Sequence, residues 1–205
     1  MKYSLFLIFF VLLFSCNGQH NSSVNDSLFV DTNQIPKPQT KKYPDSTQNK
    51  VIGDIQFGIN KKTFDELSNV YQKTHLKNKR YHLGNFQYLL INSKFFHEKL
   101  YQVSLYNPWV ETEDDLKQTI KGAYDIVTAQ YGKPDSTHNG VIDKGTDEDL
   151  FVWHIGRKRI KIISGYSFNM FTVTLQFEDV SMIAELQTES HKRQDSLTRQ
   201  SKKDI

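Results

Sequence analysis

Residues 151–177, FVWHIGRKRIKIISGYSFNMFTVTLQF, decide the fold. Successive side chains of an extended chain face opposite ways, so Phe151, Trp153 and Ile155 point to one side while Val152 and His154 point to the other. Gly156-Arg157-Lys158 turns the chain into Arg159–Ser164, where Ile160 and Ile162 form the apolar face. Phe171, Val173, Leu175 and Phe177 then alternate with Thr172, Thr174 and Gln176. Each run is a half-buried strand, and a slip of one residue would exchange its two faces. Strands joined by connections this short pair antiparallel, because a parallel pair needs a crossover of about a dozen residues.

Upstream the period changes to that of a helix. Thr112 supplies a capping hydroxyl, and Glu113, Asp114 and Asp115 set three carboxylates against the positive helix end. Leu116, Ile120, Ala123, Val127 and Tyr131 fall on one stripe, Gly132 provides the left-handed cap, and Pro134 ends the helix. Earlier still, Ile55 and Phe57 alternate with polar residues and stop at Gly58, a short strand. Asn60 is placed to cap a helix carrying Phe64, Leu67 and Tyr71. Tyr81–Ile91 is expected to be a strand bent at Gly84, and Lys99–Tyr106 a strand broken by Asn107-Pro108. The predicted order is β-α-β-β-α-β-β-β. That is an α+β domain, an antiparallel sheet of about six strands with two helices packed on one face. The domain is expected over residues 51–180, followed by a polar C-terminal tail at 181–205.

A helix ending in Tyr131-Gly132-Lys133-Pro134 and leading into antiparallel strands resembles small envelope-lipoprotein domains of the SmpA and β-lactamase-inhibitor-protein-like type. The resemblance covers residues 112–177 and implies a place in the cell envelope. The chain departs from those families by opening with a strand rather than with helices.

The N-terminus carries the same implication. Lys2 precedes an unbroken apolar run from Leu5 to Phe14, long enough for a signal-peptide core and too short to span a bilayer comfortably. Leu13-Phe14-Ser15-Cys16 resembles the lipobox of bacterial lipoproteins, which implies cleavage after residue 15 and acylation of Cys16. Residues 1–15 are then a signal peptide, and 16–50 the lipidated cysteine and a disordered tether. Three of the chain's five prolines lie there amid Asn, Ser, Thr, Gln and Lys, with few apolar residues to offset the entropy of ordering. As a flexible coil it would hold the domain about 30 Å from the membrane. By resemblance to known sorting signals, Asn17 after the cysteine implies the outer membrane, facing the periplasm.

Composition excludes several function classes. The net charge of +3 is too small for a nucleic-acid partner. Cys16 is the only cysteine, so its acylation would remove thiol catalysis, disulfides and thiolate–zinc sites together. Gly53, Gly58 and Gly84 are too scattered for a nucleotide fingerprint, and Ser164-Gly165-Tyr166-Ser167 lacks the glycines of a nucleophile elbow. His97-Glu98-Lys99-Leu100-Tyr101 has tyrosine where a zincin's second histidine must stand. Asp143, Gly145, Asp147 and Asp149 alternate like a calcium loop but lack its closing Glu. No catalytic residue, metal ligand or cofactor is expected. Arg157, Lys158, Arg159 and Lys161 gather at a hairpin tip, either to meet anionic headgroups or to guard a strand edge by charge.

What remains is aromatic. Trp109 follows Pro108 between a strand and a helix, and Tyr166 and Phe168 lie between the last two strands, where turn chemistry favours polar residues. Exposed loop aromatics are the raw material of a binding surface. The expectation is a membrane-anchored periplasmic lipoprotein acting as a non-catalytic binding or assembly module, an inhibitor or immunity lipoprotein being one concrete version. Its partners would be the membrane, through lipid on Cys16, and a protein or an envelope polymer. The alternative is an envelope hydrolase whose histidine and carboxylate meet only in the fold.

Overall fold

The computed structural model describes residues 43–138, 147–167 and 169–201. It is an α+β structure built on a large antiparallel sheet of six strands, with four helices among the described residues. The three strands of the opening segment are β9 (Asp147–Ile155), β10 (Lys158–Ser167) and β11 (Met170–Asp179). Their register follows the alternation: Ile160 faces Trp153 and Phe177, and Ile162 faces Phe151 and Leu175. With β6 (Leu90–Phe96), β7 (Lys99–Val110) and β8 (Ser136–Thr137), the strand order is β6-β7-β11-β10-β9-β8.

One face of this sheet is the core. Val103, Leu105, Trp153, Ile160, Ile162 and Leu175 are buried there beneath α3 (Glu113–Tyr131), whose buried residues include Leu116, Ile120, Ala123 and Val127. The α3 caps match their sequence signals. Thr112 Oγ1 accepts the Asp115 N–H at 3.1 Å, and Gly132 sits at φ +85°, donating to the Thr128 carbonyl. Trp153 is 1% exposed, and its indole N–H donates to the Gly132 carbonyl at 2.8 Å. That bond satisfies the one polar group that so large a buried ring carries.

The other face is polar and internally bonded. In one cross-strand row stand Lys94, Gln102, Glu178, Arg159 and His154; in the next, Asn92, Ser104, Gln176, Lys161 and Val152. Gln176 accepts from Ser104 and Gln102 and donates to Glu178, which also takes the Arg159 guanidinium at 2.6 Å.

Several expected elements are built differently. The Ile55–Phe57 strand is not in the large sheet: β2 (Ile55–Gln56) pairs only with β1 (Lys50–Ile52), a hairpin tied to β7 through Gly58, Ile59 and Leu100. The single strand expected over 81–91 is three pieces. A sheet of β3 (Leu76–Lys77), β4 (Arg80–Leu83) and β5 (Phe86–Tyr88) turns at Gly84, φ +54°, before the chain crosses into β6. Strand β7 runs through Pro108 to Val110, because a register shift between Phe171 and Val173 takes the proline, which has no N–H, out of the ladder. Helix α2 (Lys61–His75), capped by Asn60 as expected, packs on β2 and β4 and touches the large sheet at β7 and, through Phe64 against Phe95, at β6, while α3 crosses β7, β11, β10 and β9.

Residues 43–50, expected in the tether, include α1 (Asp45–Asn49) and dock on the domain. The stretch expected as a polar C-terminal tail is helical where described, as α4 (Val180–Ser201), and is exposed over most of its length. Asp179 starts that helix, its Oδ1 accepting the N–H groups of Ser181 and Met182. The basic hairpin is built into the sheet and its charges have partners in the protein. β10 lies inside the sheet, Arg159 and Lys161 pair with Glu178 and Asp149, Arg157 approaches Asp179, and Lys158 is fully buried. The expected calcium-like stretch lies mostly outside the described residues. Among the described residues no helix is long and apolar enough to cross a membrane.

Candidate functional site

The end of β7 shapes the candidate site. Asn107 faces Val173 on the core side of the sheet and is 3% exposed. Its Oδ1 accepts the Trp109 N–H at 3.4 Å, bracing the bulge across Pro108. Past the bulge the chain swings out and leaves Trp109 56% exposed. An indole held that far into solvent at a braced strand end leaves much apolar area uncovered.

A cleft of about 440 Å³ opens beside it. One wall is the first half of α3, contributing Asp115, Gln118 and Thr119. Asp115 is held in place by its capping partner, the Thr112 hydroxyl donating to Asp115 Oδ2 at 2.7 Å. The opposite wall is the β4–β5 hairpin, contributing Arg80, Asn85 and Gln87, with Arg80 donating to Gln87 Oε1 at 3.4 Å. The two walls are set by Gly122 of α3. A Cβ there would sit 2.9 Å from the Asn85 carbonyl oxygen, so helix and hairpin meet backbone to backbone only because this residue has no side chain. Glu111 and Val110 complete the lining.

The chemistry of this lining is uneven. Trp109 and Val110 are its apolar members; the rest are amides, a hydroxyl, one guanidinium and two carboxylates. It contains no histidine, cysteine or lysine. Such a set can hydrogen-bond and stack, and its ionisable members are two carboxylates and one guanidinium. Among the described residues, two histidine–carboxylate pairs lie elsewhere, His154 Nδ1 with Asp135 at 3.3 Å and His97 Nε2 with Glu189 at 3.0 Å. All four side chains are at least a third exposed, and none lines the cleft. His97 and Glu98 form the β6–β7 turn at positive φ, not a helix that could stack metal ligands. Among the described residues no group of three or more metal-ligating side chains converges.

The expected aromatic surface divides. Trp109 borders the cleft, whereas Tyr166 stands against Phe171, ring centroids 4.9 Å apart, two strands from Val110 and outside the lining. Phe168 and Cys16 lie outside the described residues. Arg80, Asn85, Gln87, Asn107, Gln118 and Thr119 escaped sequence reading. They come from four elements, and nothing local marks an amide that will face a cleft.

Two buried titratable regions are structural. The Lys158 ammonium donates to the carbonyls of Thr47 at 2.6 Å and Lys50 at 3.0 Å and to the Tyr131 hydroxyl at 2.8 Å. Burial lowers its pKa to about 8 and raises that of Tyr131 to about 12. Burial likewise pushes the Tyr88 hydroxyl far up. Comparison of the chain with protein-family models, with curated proteins and with solved structures returned no match.

Proposed function

We propose that the protein is a lipid-anchored, non-catalytic binding module of the bacterial envelope, with its ligand site in the cleft beside Trp109. The anchor rests on residues 1–16, whose charged start, apolar run and Leu-Phe-Ser-Cys ending resemble a lipoprotein signal. Asn17 supports the periplasmic face of the outer membrane, and α3 ending at Tyr131-Gly132 ahead of β8–β11 supports the likeness to small envelope-lipoprotein domains.

The observation that carries the binding role is the cleft itself. It is walled by α3 and the β4–β5 hairpin, bordered by an exposed indole, and lined mostly by amide and hydroxyl groups that can hold a ligand by hydrogen bonds. An inhibitor or immunity lipoprotein is one form of such a module. The envelope-hydrolase alternative has its histidine–carboxylate pairs on open surface away from the cleft.

Two variants test the two halves of the proposal. Cys16→Ser should abolish acyl labelling and move the protein from the detergent to the aqueous phase, since multiple acyl chains make anchoring stable. Trp109→Ala should melt like wild type, within about 1 kcal/mol for an exposed site, yet lose the partner recovered from intact envelopes. Retained acylation would overturn the anchor; an unchanged set of recovered partners would overturn the site.

A further inference from the structure

We propose that the cleft beside Trp109 is a saccharide site, taking a neutral pyranose unit of an envelope polysaccharide or oligosaccharide. This rests on the cleft being the module's binding site and names the chemistry of its ligand.

Four features of the lining converge on that class. Trp109 offers an exposed flat ring, and the C–H face of a pyranose is the apolar surface that stacks on such a ring while its hydroxyls point outward. Asn85, Gln87, Asn107 and Gln118 each carry one carbonyl acceptor and an NH₂ donor. A sugar hydroxyl also both donates and accepts, so side-chain amides match it where a purely cationic or purely acidic lining would not. Arg80 adds a planar fork of donors, and Glu111 and Asp115 add acceptors for hydroxyl protons. The fixed Thr112–Asp115 and Arg80–Gln87 bonds pre-order part of the set, reducing the ordering cost of binding.

The same lining disfavours the other ligand classes. One cation against two carboxylates leaves the cleft weakly negative, which repels phosphate-bearing nucleotides and anionic headgroups. An acyl chain or an apolar protein anchor needs hydrophobic walls, and here only Trp109 and Val110 provide any. A volume of about 440 Å³ lies within the usual range of small-molecule sites and suits a short stretch of sugar better than a protein surface.

The chain contains two tryptophans, and Trp153 is buried, so a saturable change in tryptophan emission on ligand addition reports Trp109. The test is a titration of the full-length protein, held in a detergent without a sugar headgroup, with chitotetraose, cellotetraose and maltotetraose. At least one should bind with a Kd on the order of 1 mM or tighter. Trp109→Ala should weaken that binding about tenfold, measured by calorimetry, and Trp109→Phe less. Gln118→Ala, at an exposed helix position, should weaken it while melting like wild type. Failure of all three sugars to saturate, or binding that survives both Trp109→Ala and Gln118→Ala, overturns the saccharide assignment. A Trp109-dependent protein partner without sugar binding overturns it too and leaves the module reading standing; loss of both removes both.

Discussion

A chain beginning at Val51 should be markedly less stable than one beginning at Tyr43. The perturbation removes the two backbone carbonyls, of Thr47 and Lys50, that accept two of the three hydrogen bonds of the buried Lys158 ammonium. It also removes Gln48, whose Oε1 accepts the Arg157 N–H at 3.1 Å, and Tyr43, whose hydroxyl donates to the Tyr131 carbonyl. Hydrogen bonds to a charged group contribute roughly 1.5–3 kcal/mol each, so the Lys158 pair alone accounts for about 3–6. Uncovering the ammonium lets water replace part of that, and a net loss of about 3 kcal/mol remains. For a domain of this size that lowers the melting temperature by roughly 6–12 °C. The assay is thermal melting of both chains followed by far-UV circular dichroism, with Lys158→Met made in each. If the latch is real, Lys158→Met is costly in the longer chain and much less so in the shorter one, a coupling that a double-mutant cycle isolates. Melting of the two starting chains within about 2 °C of each other would refute the latch and restore the folded boundary to residue 51.

Two further perturbations probe other parts of the fold. Trp153→Ala should cost about 3–5 kcal/mol in a denaturant titration, the price of emptying a fully buried ring site; a wild-type midpoint would mean that the faces of β9 are exchanged. Stability should also rise with pH between about 8 and 10. Lys158 in the folded state binds protons less readily than in the unfolded chain, so the unfolded state holds the extra proton in that window, and the gain is at most about 3 kcal/mol. Above pH 10 the trend should reverse, because Tyr88 and Tyr131 resist ionisation when folded and their unfolded counterparts lose the proton first. Lys158→Met should flatten the rise and leave the fall. A rise that persists in that variant would assign it to another group.

By itself the sequence determined the elements whose signals are local. The alternation of residues 151–177 specified three antiparallel strands and which side of each is buried, because a period of two has only two faces to choose between. The capping chemistry of Asn60, Thr112 and Gly132 fixed where helices start and stop, since it is satisfied within one turn of chain. Tertiary structure decided whatever depends on distant partners. Pro108 looked like a strand terminator and became a bulge because β11 could shift register around it. The polar residues 43–50 looked like tether and became part of the domain because Lys158, more than a hundred residues away, needs their carbonyls. The cleft follows the same logic: Trp109 was legible as an aromatic out of place, but its polar companions converge only after β4, β5, β7 and α3 pack. Amide and carboxylate side chains carry no sequence mark of the direction they will face, and that direction is set by backbone contacts such as that between Gly122 and Asn85.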